Sequence, residues 1–260
     1  MIPKTIHYCW FGGKRKPKLV RNCIASWKKY LPDYQIIEWN EKNSDLSHPF
    51  VQTAYIARKW AFVADYIRLK VIYEHGGIYL DTDMMVVKSF NDLLKNQCFF
   101  GAEDFKYINA GIMGSRKEHC FIKKCLLKYD FLLLEQEINW YEITVPKIIT
   151  TTFRSINRFH LFFDKKTKVD DIVVYPASYF YPISYNEKEK IKYYKKYIVG
   201  NTFAVHLWEE SWIEYPEFHY FRNKKYFKGF QRYFKDFTIK KLKIKYLIKI
   251  ASCIKYSYFN

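Results

Sequence analysis

The first part of the chain alternates between short apolar runs and longer runs with the 3.6-residue period of helices. Residues 4–10 form a short β-prone run that stops before Gly12, and Pro17 then begins a helical pattern. Residues 34–38 predict a second strand. Strands that alternate with helices predict an α/β sheet.

A second series of elements begins at residue 49. A helical pattern runs from residue 49 to residue 75 with a break near Arg58, and the glycine pair 76–77 ends it. Residues 118–139 carry another helical pattern. Short apolar runs predict further strands at residues 78–80, 84–87, 98–101, 108–114, 171–175 and 202–207. The α/β order therefore continues over most of the chain.

The composition changes near the C-terminus. From Arg222 onwards lysines and arginines are interleaved with Ile, Leu and Phe, and Asp236 is the only acid. The pattern predicts a domain of residues 1–221 followed by a basic amphipathic segment of residues 222–260, which we expect to be helical.

Length and composition are those of a globular protein with one sizeable domain. The chain has 260 residues, of which 49% are hydrophobic and 27% are charged, and such a chain can form a packed core. No apolar run reaches the roughly 18 residues that span a bilayer, and the N-terminus lacks a signal-peptide pattern. We therefore expect a cytoplasmic protein. The six cysteines show no spacing typical of zinc ligands or disulfides.

The formal net charge of +18 indicates an anionic partner, which can be nucleic acid, an anionic membrane surface or a phosphorylated ligand. A basic nucleic-acid-binding protein or a metal-dependent nuclease would combine such charge with stacking aromatic residues. The concentration of charge in residues 222–260 argues against that alternative, because alternating basic and apolar residues suit anionic lipid headgroups. A solvated helix face is the plainer explanation of this segment.

Two carboxylates follow the apolar run at residues 78–80. Asp81 and Asp83 are two residues apart, so the period of a strand directs both side chains to one side. At the C-terminal edge of an α/β sheet, such a pair can hold a divalent cation on a diphosphate. Acidic residues at this spacing are also frequent in solvated turns, so the motif alone is weak evidence.

A polar pair interrupts an apolar helical pattern earlier in the chain. Asp65 and Arg68 lie three residues apart within residues 61–69, so they share one helix face. An intrahelical ion pair is the ordinary explanation. The apolar surroundings favour the alternative, which is contact with a ligand.

Three segments, taken together and in this order, resemble one enzyme family. Residues 2–12, 64–68 and 76–83 are similar to the DXD sugar-transferase family, which includes yeast initiating α-1,6-mannosyltransferases and bacterial capsular polysaccharide enzymes, and to the catalytic core of clostridial glucosylating toxins. The resemblance implies a GT-A type fold, which is a Rossmann-like mixed sheet flanked by helices. It covers the first half of the chain well and the second half only in patches.

The resemblance implies a donor-binding site that includes five of these residues. Trp10, beside Phe11, would stack on the nucleotide base, and Asp65 would bind hydroxyl groups of the donor. Arg68 would reach the sugar or the phosphates, and Tyr79 would line the sugar pocket. A structural side chain in the core is the alternative for Trp10 and Tyr79.

The two aspartates of the motif receive different roles from the resemblance. Asp83 matches the direct metal ligand, and Asp81 matches the residue that contacts donor hydroxyls and metal-bound water. Glu103, Asp104 and Asn109 lie in segments that resemble those flanking the sugar pocket. A polar loop and turn is the alternative for these three residues.

A late segment is expected to return to the metal. His206 can ligate through its imidazole, and Ser211 or Trp212 can close over the phosphate. A structural histidine is equally compatible with the residues, and Glu209 or Glu210 can take the place of His206 as the ligand.

The family consists of retaining enzymes, so the resemblance implies that the transferred sugar keeps its anomeric configuration. The resemblance also implies a metal-dependent glycosyltransferase with Asp81, Asp83 and Arg68 as its catalytic residues. The expected donor is a nucleotide sugar, with a UDP-hexose as first candidate and GDP-mannose as second, and the expected cofactor is Mn²⁺ or Mg²⁺. The expected acceptor is a glycan or lipid-linked glycan in surface or capsular polysaccharide synthesis. The basic segment would hold the enzyme peripherally on the anionic inner face of the membrane.

Overall fold

A computed structural model gives the fold of residues 1–132, 140, 142–157, 162–209, 216–222, 224–235, 242 and 244–258. The chain divides into two compact units, Met1–Glu209 and Glu210–Asn260. The boundary expected from composition at residue 222 stays a prediction.

The first unit contains both strands and helices. Its strands are β1 (Thr5–Cys9), β2 (Gln35–Trp39), β3 (Gly77–Leu80), β4 (Met84–Val86), β5 (Cys98–Ala102), β6 (Ile108–Ser115), β7 (Thr167–Val169), β8 (Ile172–Tyr175) and β9 (Ala204–His206). Its helices are α1 (Lys18–Tyr30), α2 (Pro49–Ile56), α3 (Trp60–His75), α4 (Cys120–Asp130) and α5 (Val145–Asn157), with 3-10 helices at Asn91–Lys95, Ala177–Tyr179 and Tyr185–Tyr197.

Seven strands form one mixed sheet in the order β2-β1-β3-β6-β5-β8-β7. β1 is parallel to β2 and β3, β6 is antiparallel to β3 and β5, and β8 is parallel to β5 and antiparallel to β7. Because of these directions, the ends of β1, β3 and β5 meet the start of β6 at one edge of the sheet. The expected fold class, a mixed α/β sheet flanked by helices, is confirmed.

Apolar side chains cover both faces of this sheet. All four residues of β3 are buried. Tyr79 faces a core that includes side chains of α2 to α5, whereas Ile78 and Leu80 face a second core with side chains of α1, β4 and β9. Successive side chains of a strand point to opposite faces, which explains why neighbouring residues of β3 lie in different cores. Because both faces of β3 are buried, its sequence is continuously apolar.

The long helical pattern of residues 49–75 is two helices. α2 ends at Ile56, α3 begins at Trp60, and Arg58 lies between them with a φ of +55°. The expected break is therefore confirmed. In the pattern of residues 118–139, α4 ends at Asp130, and residues 133–139 lie outside the described part of the chain.

Gly76 and Gly77 make the turn that leads from α3 into β3. Their φ angles are +68° and +100°, a region that L-residues rarely adopt. A Cβ atom would stand 2.8 Å from Lys117 N at Gly76 and 2.7 Å from Thr5 O at Gly77. The two glycines thus allow a buried helix to return at once into the strand that ends at Asp81.

The second unit is helical over its described ranges α6 (Pro216–Arg222), α7 (Tyr226–Lys235) and α8 (Ile244–Tyr258). Its core is small and aromatic, with Phe218, Phe221, Tyr233, Tyr246, Ile250 and Cys253 buried together. The helical character expected of the basic extension, residues 222–260, is confirmed for α7 and α8. None of the described helices is both long and apolar enough to cross a lipid bilayer.

Candidate functional site

Three residues that can bind a metal ion converge at the edge of the sheet where β3 ends. Asp81, Asp83 and His206 each offer one ligand atom, and these atoms lie within 4.8 Å of one another. Asp83 Oδ1 lies 3.2 Å from His206 Nε2. The structure therefore brings together the three residues that were expected to hold a cation.

A two-stranded ladder explains why residues so distant in sequence meet. β4 begins directly after Asp83 and pairs antiparallel with β9, which ends at His206. The amide of Leu207 donates to the Asp83 carbonyl at 3.0 Å, and the amide of Glu209 donates to Asp83 Oδ2 at 2.9 Å. The late segment thus holds both the backbone and the side chain of Asp83.

The carboxylate and the imidazole stabilise each other's charged forms. Burial acts to raise the pKa of Asp83, but the charge and hydrogen bond of His206 and the amide of Glu209 bring this pKa below its ordinary value. Burial acts to lower the pKa of His206, but Asp83 above all raises this pKa above its ordinary value.

The donor set fits a divalent cation. Two carboxylates and one imidazole are ligands that Mn²⁺ and related ions accept. His206 Nδ1 is buried and has no hydrogen-bond partner among the described residues. A buried imidazole that faces a carboxylate, with a second carboxylate close by, is chemically suited to coordinate a metal.

Arg68 connects helix α3 to the motif. Its Nη2 lies 3.1 Å from Asp65 Oδ1 and its Nη1 lies 3.0 Å from Asp81 Oδ1. Nη1 also donates to the carbonyl of Ala110 at 2.9 Å, and the guanidinium lies 4.6 Å from the centre of the Tyr79 ring. The intrahelical ion pair therefore exists, and it extends to Asp81.

Asp65 is bound by protein groups on both oxygens. Besides the contact of Oδ1 with Arg68, its Oδ2 accepts from the amide of Val145 at 3.1 Å, at the first residue of α5. Burial raises the pKa of Asp65 to about 6, although Arg68 and the Val145 amide act to lower it. Contacts of Asp65 and Arg68 with a donor stay predictions.

Asn109 lies at the start of β6 and organises the other side of the site. Its Oδ1 accepts from the amide of Gly111 at 2.7 Å and from the hydroxyl of Tyr181 at 3.1 Å. Its Nδ2 donates to Glu103 Oε2 at 2.8 Å. Burial raises the pKa of Glu103, while Asn109 and the charge of His206 act to lower it. Glu103 and Asn109 therefore border the candidate metal ligands.

Tyr181 belongs to the site although no sequence motif indicated it. Its ring centre lies 5.6 Å from that of His206, and its hydroxyl accepts from the amide of Ile112 at 3.2 Å. A Cβ atom at Gly111 would stand 3.1 Å from this hydroxyl and 3.3 Å from Asp81 Oδ2. The close approach explains why this position of β6 is a glycine.

Trp10 and Phe11 follow β1 at the same edge of the sheet. Trp10 is half-buried, its Nε1 donates to the carbonyl of Lys14 at 2.6 Å, and the Lys16 ammonium lies 5.6 Å from its ring centre. Phe11 is buried in the core on the α3 side. Trp10 thus keeps exposed ring surface, whereas Phe11 packs inside.

The remaining candidates are placed less directly at the site. Asp104 lies in an exposed turn, where its Oδ1 accepts from the amides of Lys106 at 2.6 Å and Tyr107 at 2.8 Å. Ser211 and Trp212 lie outside the described residues. Their expected closure over a phosphate stays a prediction.

Two family models match the chain. Residues 17–100 match the glycosyltransferase sugar-binding region containing the DXD motif. Residues 114–238 match the alpha 1,4-glycosyltransferase conserved region. The first match contains Asp65, Arg68, Asp81 and Asp83, and the second contains His206.

Individual relatives are distant. The chain is 26% identical to an uncharacterized glycosyltransferase of Acanthamoeba polyphaga mimivirus over 82% of this chain and 84% of the relative. It is also 26% identical to the human alpha-1,4-N-acetylglucosaminyltransferase over 70% of this chain, and it spans 50% of that enzyme's length. Among solved structures, the PaToxG glycosyltransferase is 19% identical, with a TM-score of 0.49 over 60% of this chain and 70% of the other.

Proposed function

We propose that this chain is a glycosyltransferase that transfers a hexose from a UDP-linked donor to a glycan or lipid-linked glycan, because residues 17–100 match the glycosyltransferase sugar-binding region containing the DXD motif. Mn²⁺ is the proposed cofactor, held by Asp81, Asp83 and His206. GDP-mannose is the second candidate donor. One observation carries the proposal: the three ligand atoms lie within 4.8 Å of one another at the sheet edge, where ligands of α/β sheets bind.

Each residue of the proposed site has a distinct task. A cation held by Asp81, Asp83 and His206 would neutralise the negative charge of the departing nucleoside diphosphate. Asp83 is held by the Glu209 amide and His206, so its carboxylate is oriented before the donor arrives. Arg68 fixes Asp81 from the protein side, so it acts as a positioning residue for that carboxylate.

The donor lies along the same edge in this proposal. The exposed ring surface of Trp10 stacks on the nucleotide base. Glu103 and Asn109, which are hydrogen-bonded to each other, bind hydroxyl groups of the transferred hexose. A donor oriented at both ends places its anomeric carbon near the acceptor hydroxyl.

We propose that transfer retains the anomeric configuration. The second family model is described by an alpha 1,4 linkage, and the human relative is named for the same linkage. Nucleotide-linked hexoses such as UDP-glucose carry the α configuration, so an α product keeps it. The proposed reaction is same-face attack by the acceptor, assisted by the leaving diphosphate.

A donor panel tests this assignment. The protein is incubated with Mn²⁺, a disaccharide acceptor (lactose, maltose or mannobiose) and one donor, which is UDP-glucose, UDP-galactose, UDP-N-acetylglucosamine or GDP-mannose, and nucleotide release is measured. We expect release from one UDP-hexose, and an α-anomeric proton signal in the NMR spectrum of the product. Preferred release from GDP-mannose would overturn the donor assignment, and a β product would overturn retention.

We further propose that the C-terminal unit docks on an anionic membrane surface, where lipid-linked acceptors in surface polysaccharide synthesis are displayed. Phe227, Phe230 and Phe234 are exposed on α7, and their spacing places them on one helix face. Lys228 and Lys235 are exposed on the same helix. Apolar and basic groups side by side suit anionic lipid headgroups. The glycosyltransferase family matches disfavour the nucleic-acid alternative.

A further inference from the structure

Three aromatic side chains are exposed on the tip of the β5–β6 hairpin and on a segment beside it. Phe105, Tyr107 and Phe162 are 51%, 48% and 59% exposed. The ring centres of Phe105 and Phe162 lie 5.6 Å apart, with a 42° angle between the ring planes. We call Phe105 and Phe162 the aromatic platform. Two exposed aromatic rings side by side offer an apolar surface to a ligand.

Hydrogen bonds hold the platform in place. The Asp104 carboxylate accepts from two amides of the hairpin turn. The amide of Phe163 donates to the carbonyl of Phe105 at 2.9 Å, and Arg154 Nη2 donates to the carbonyl of Lys106 at 2.6 Å. The turn that carries the rings is therefore held by hydrogen bonds, which reduces the conformational entropy lost when a ligand binds.

The same hairpin reaches into the candidate active site at its base. The amide of Glu103 donates to the carbonyl of Tyr107 at 2.9 Å and closes the hairpin. The carboxylate of Glu103 accepts from Asn109 Nδ2 at 2.8 Å, and Asn109 Oδ1 accepts from the amide of Gly111 at 2.7 Å. The platform is therefore continuous with the donor site through Glu103.

We propose that the aromatic platform binds the sugar ring of the acceptor. A pyranose has an apolar face of C–H groups, which stacks on aromatic rings, and a rim of hydroxyl groups, which needs polar partners. The Lys106 ammonium, 5.1 Å from the Phe105 ring centre, supplies a hydrogen-bond donor to this rim. This inference rests on the proposed function, because it requires an acceptor beside the transferred hexose.

An NMR titration tests binding directly. The full chain, labelled with ¹³C in phenylalanine, is loaded with UDP and Mg²⁺ and titrated with lactose, maltose and mannobiose. The signals of Phe105 and Phe162 are assigned from Phe105→Leu and Phe162→Leu variants. We expect at least one disaccharide to shift both signals and to leave that of Phe131 unchanged, which is 79% exposed elsewhere. The proposal is overturned if no disaccharide shifts them, or if Phe131 shifts equally.

Kinetics provide the second test. With the disaccharide that shifts the signals as acceptor, the Phe105→Ala/Phe162→Ala variant is expected to show about a tenfold higher acceptor KM. Its donor KM and its acceptor-free nucleotide release should equal those of wild type, as should all values for the control Phe131→Ala. An unchanged acceptor KM would overturn acceptor binding by the aromatic platform and would leave the proposed glycosyltransferase function intact. Absence of nucleotide release by wild type from every donor overturns the proposed function, and the titration then decides the platform.

Discussion

At the scale of single residues, Asp81 and Asp83 are held by different parts of the fold. Asp81 Oδ1 forms an ion pair with Arg68 and accepts a hydrogen bond from the hydroxyl of Tyr79. Asp83 receives the amide of Glu209 on Oδ2 and faces His206 with Oδ1. The motif therefore joins a charged network on α3 to the β4–β9 ladder, and a change in either support displaces only one of the two carboxylates.

Replacing Arg68 with Met should destabilise the protein strongly. The substitution leaves Asp65 buried without its counter-charge, and breaking a buried pair in this way costs about 3–5 kcal/mol. The control Lys70→Met lies on the same helix and removes a partly exposed ion pair with Asp45, so about 1 kcal/mol or less is expected. Urea unfolding measures both values, and equal losses would contradict a buried network.

His7 should make stability depend on pH. Burial lowers its pKa to about 4, although the carbonyl of Gly76 acts to raise it. Its Nδ1 accepts from Trp39 Nε1 at 3.0 Å, so the folded protein holds the neutral ring. The unfolded chain binds a proton near the ordinary value of 6.5, so stability is lost as the pH falls from 6.5 towards 4.

The expected size of this effect is about 2 kcal/mol between pH 7 and pH 5. Urea unfolding of wild type and of His7→Gln at both pH values isolates it, because the variant lacks the titrating ring. The loss between pH 7 and pH 5 should be smaller in the variant by that amount. Equal losses in the two proteins would show that His7 is protonated in the fold.

At the scale of elements, strand β6 has two glycines with different surroundings. One glycine packs against the core and the other lies in the candidate site. A Cβ atom at Gly114 would stand 2.2 Å from the ring of Phe99, inside the core. At Gly111 it would meet Asn109, Tyr181 and Asp81 at 3.1–3.3 Å, inside the site. The strand therefore fits the core at one position and the candidate functional site at the other.

Gly111→Ala should reduce kcat while the fold persists. The added methyl group displaces the side chains around Asp81 by a few tenths of an ångström, and misplacement of catalytic groups lowers the rate steeply, here by about tenfold. Gly200→Ala is the control, because a Cβ atom there meets nothing within 4 Å. Steady-state nucleotide release measures the effect, and an unchanged kcat with a normal melting temperature would contradict the tight packing.

Local sequence patterns predicted individual strands and helices better than they predicted which strands pair with each other. The apolar run of β3 and the glycine turn before it are determined by neighbouring residues, so they can be read from the sequence. The contact of Asp83 with His206 depends on the pairing of β4 with β9, which no local period encodes. Tyr181 and the Val145 amide are likewise brought in by tertiary packing, so they could not be predicted from residues near the motif.

At the scale of the whole molecule, charge and chemistry are divided between two units. Twelve of the 44 lysines and arginines lie in residues 210–260 with four acids, whereas the candidate metal ligands lie in residues 1–209. Exposed Ile244, Leu247 and Ile248 on α8 add apolar surface to the basic unit. The division suits a catalytic unit with a separate element for an anionic surface.

Membrane docking should depend on the aromatic face of α7. The variant Phe227→Ser/Phe230→Ser/Phe234→Ser removes exposed apolar groups without changing the charge. Its partition coefficient onto phosphatidylglycerol vesicles, measured by co-sedimentation, should be lower than that of wild type by about tenfold or more. The reason is that each phenylalanine buried in the bilayer contributes about 1.5–3 kcal/mol. Phe131→Ser is the control. Equal binding of wild type and the triple variant would contradict docking through this face.

In the proposed function, Asp81, Asp83 and His206 hold a divalent cation for transfer from a nucleotide sugar. Nucleotide release from the preferred donor, measured with Mn²⁺ for wild type and Asp83→Asn, tests this role. Release should fall by about 100-fold or more in the variant, should stop for wild type in EDTA, and should be unchanged in the exposed control Asp92→Asn. Release by Asp83→Asn at the wild-type rate, or without any divalent cation, would contradict this role.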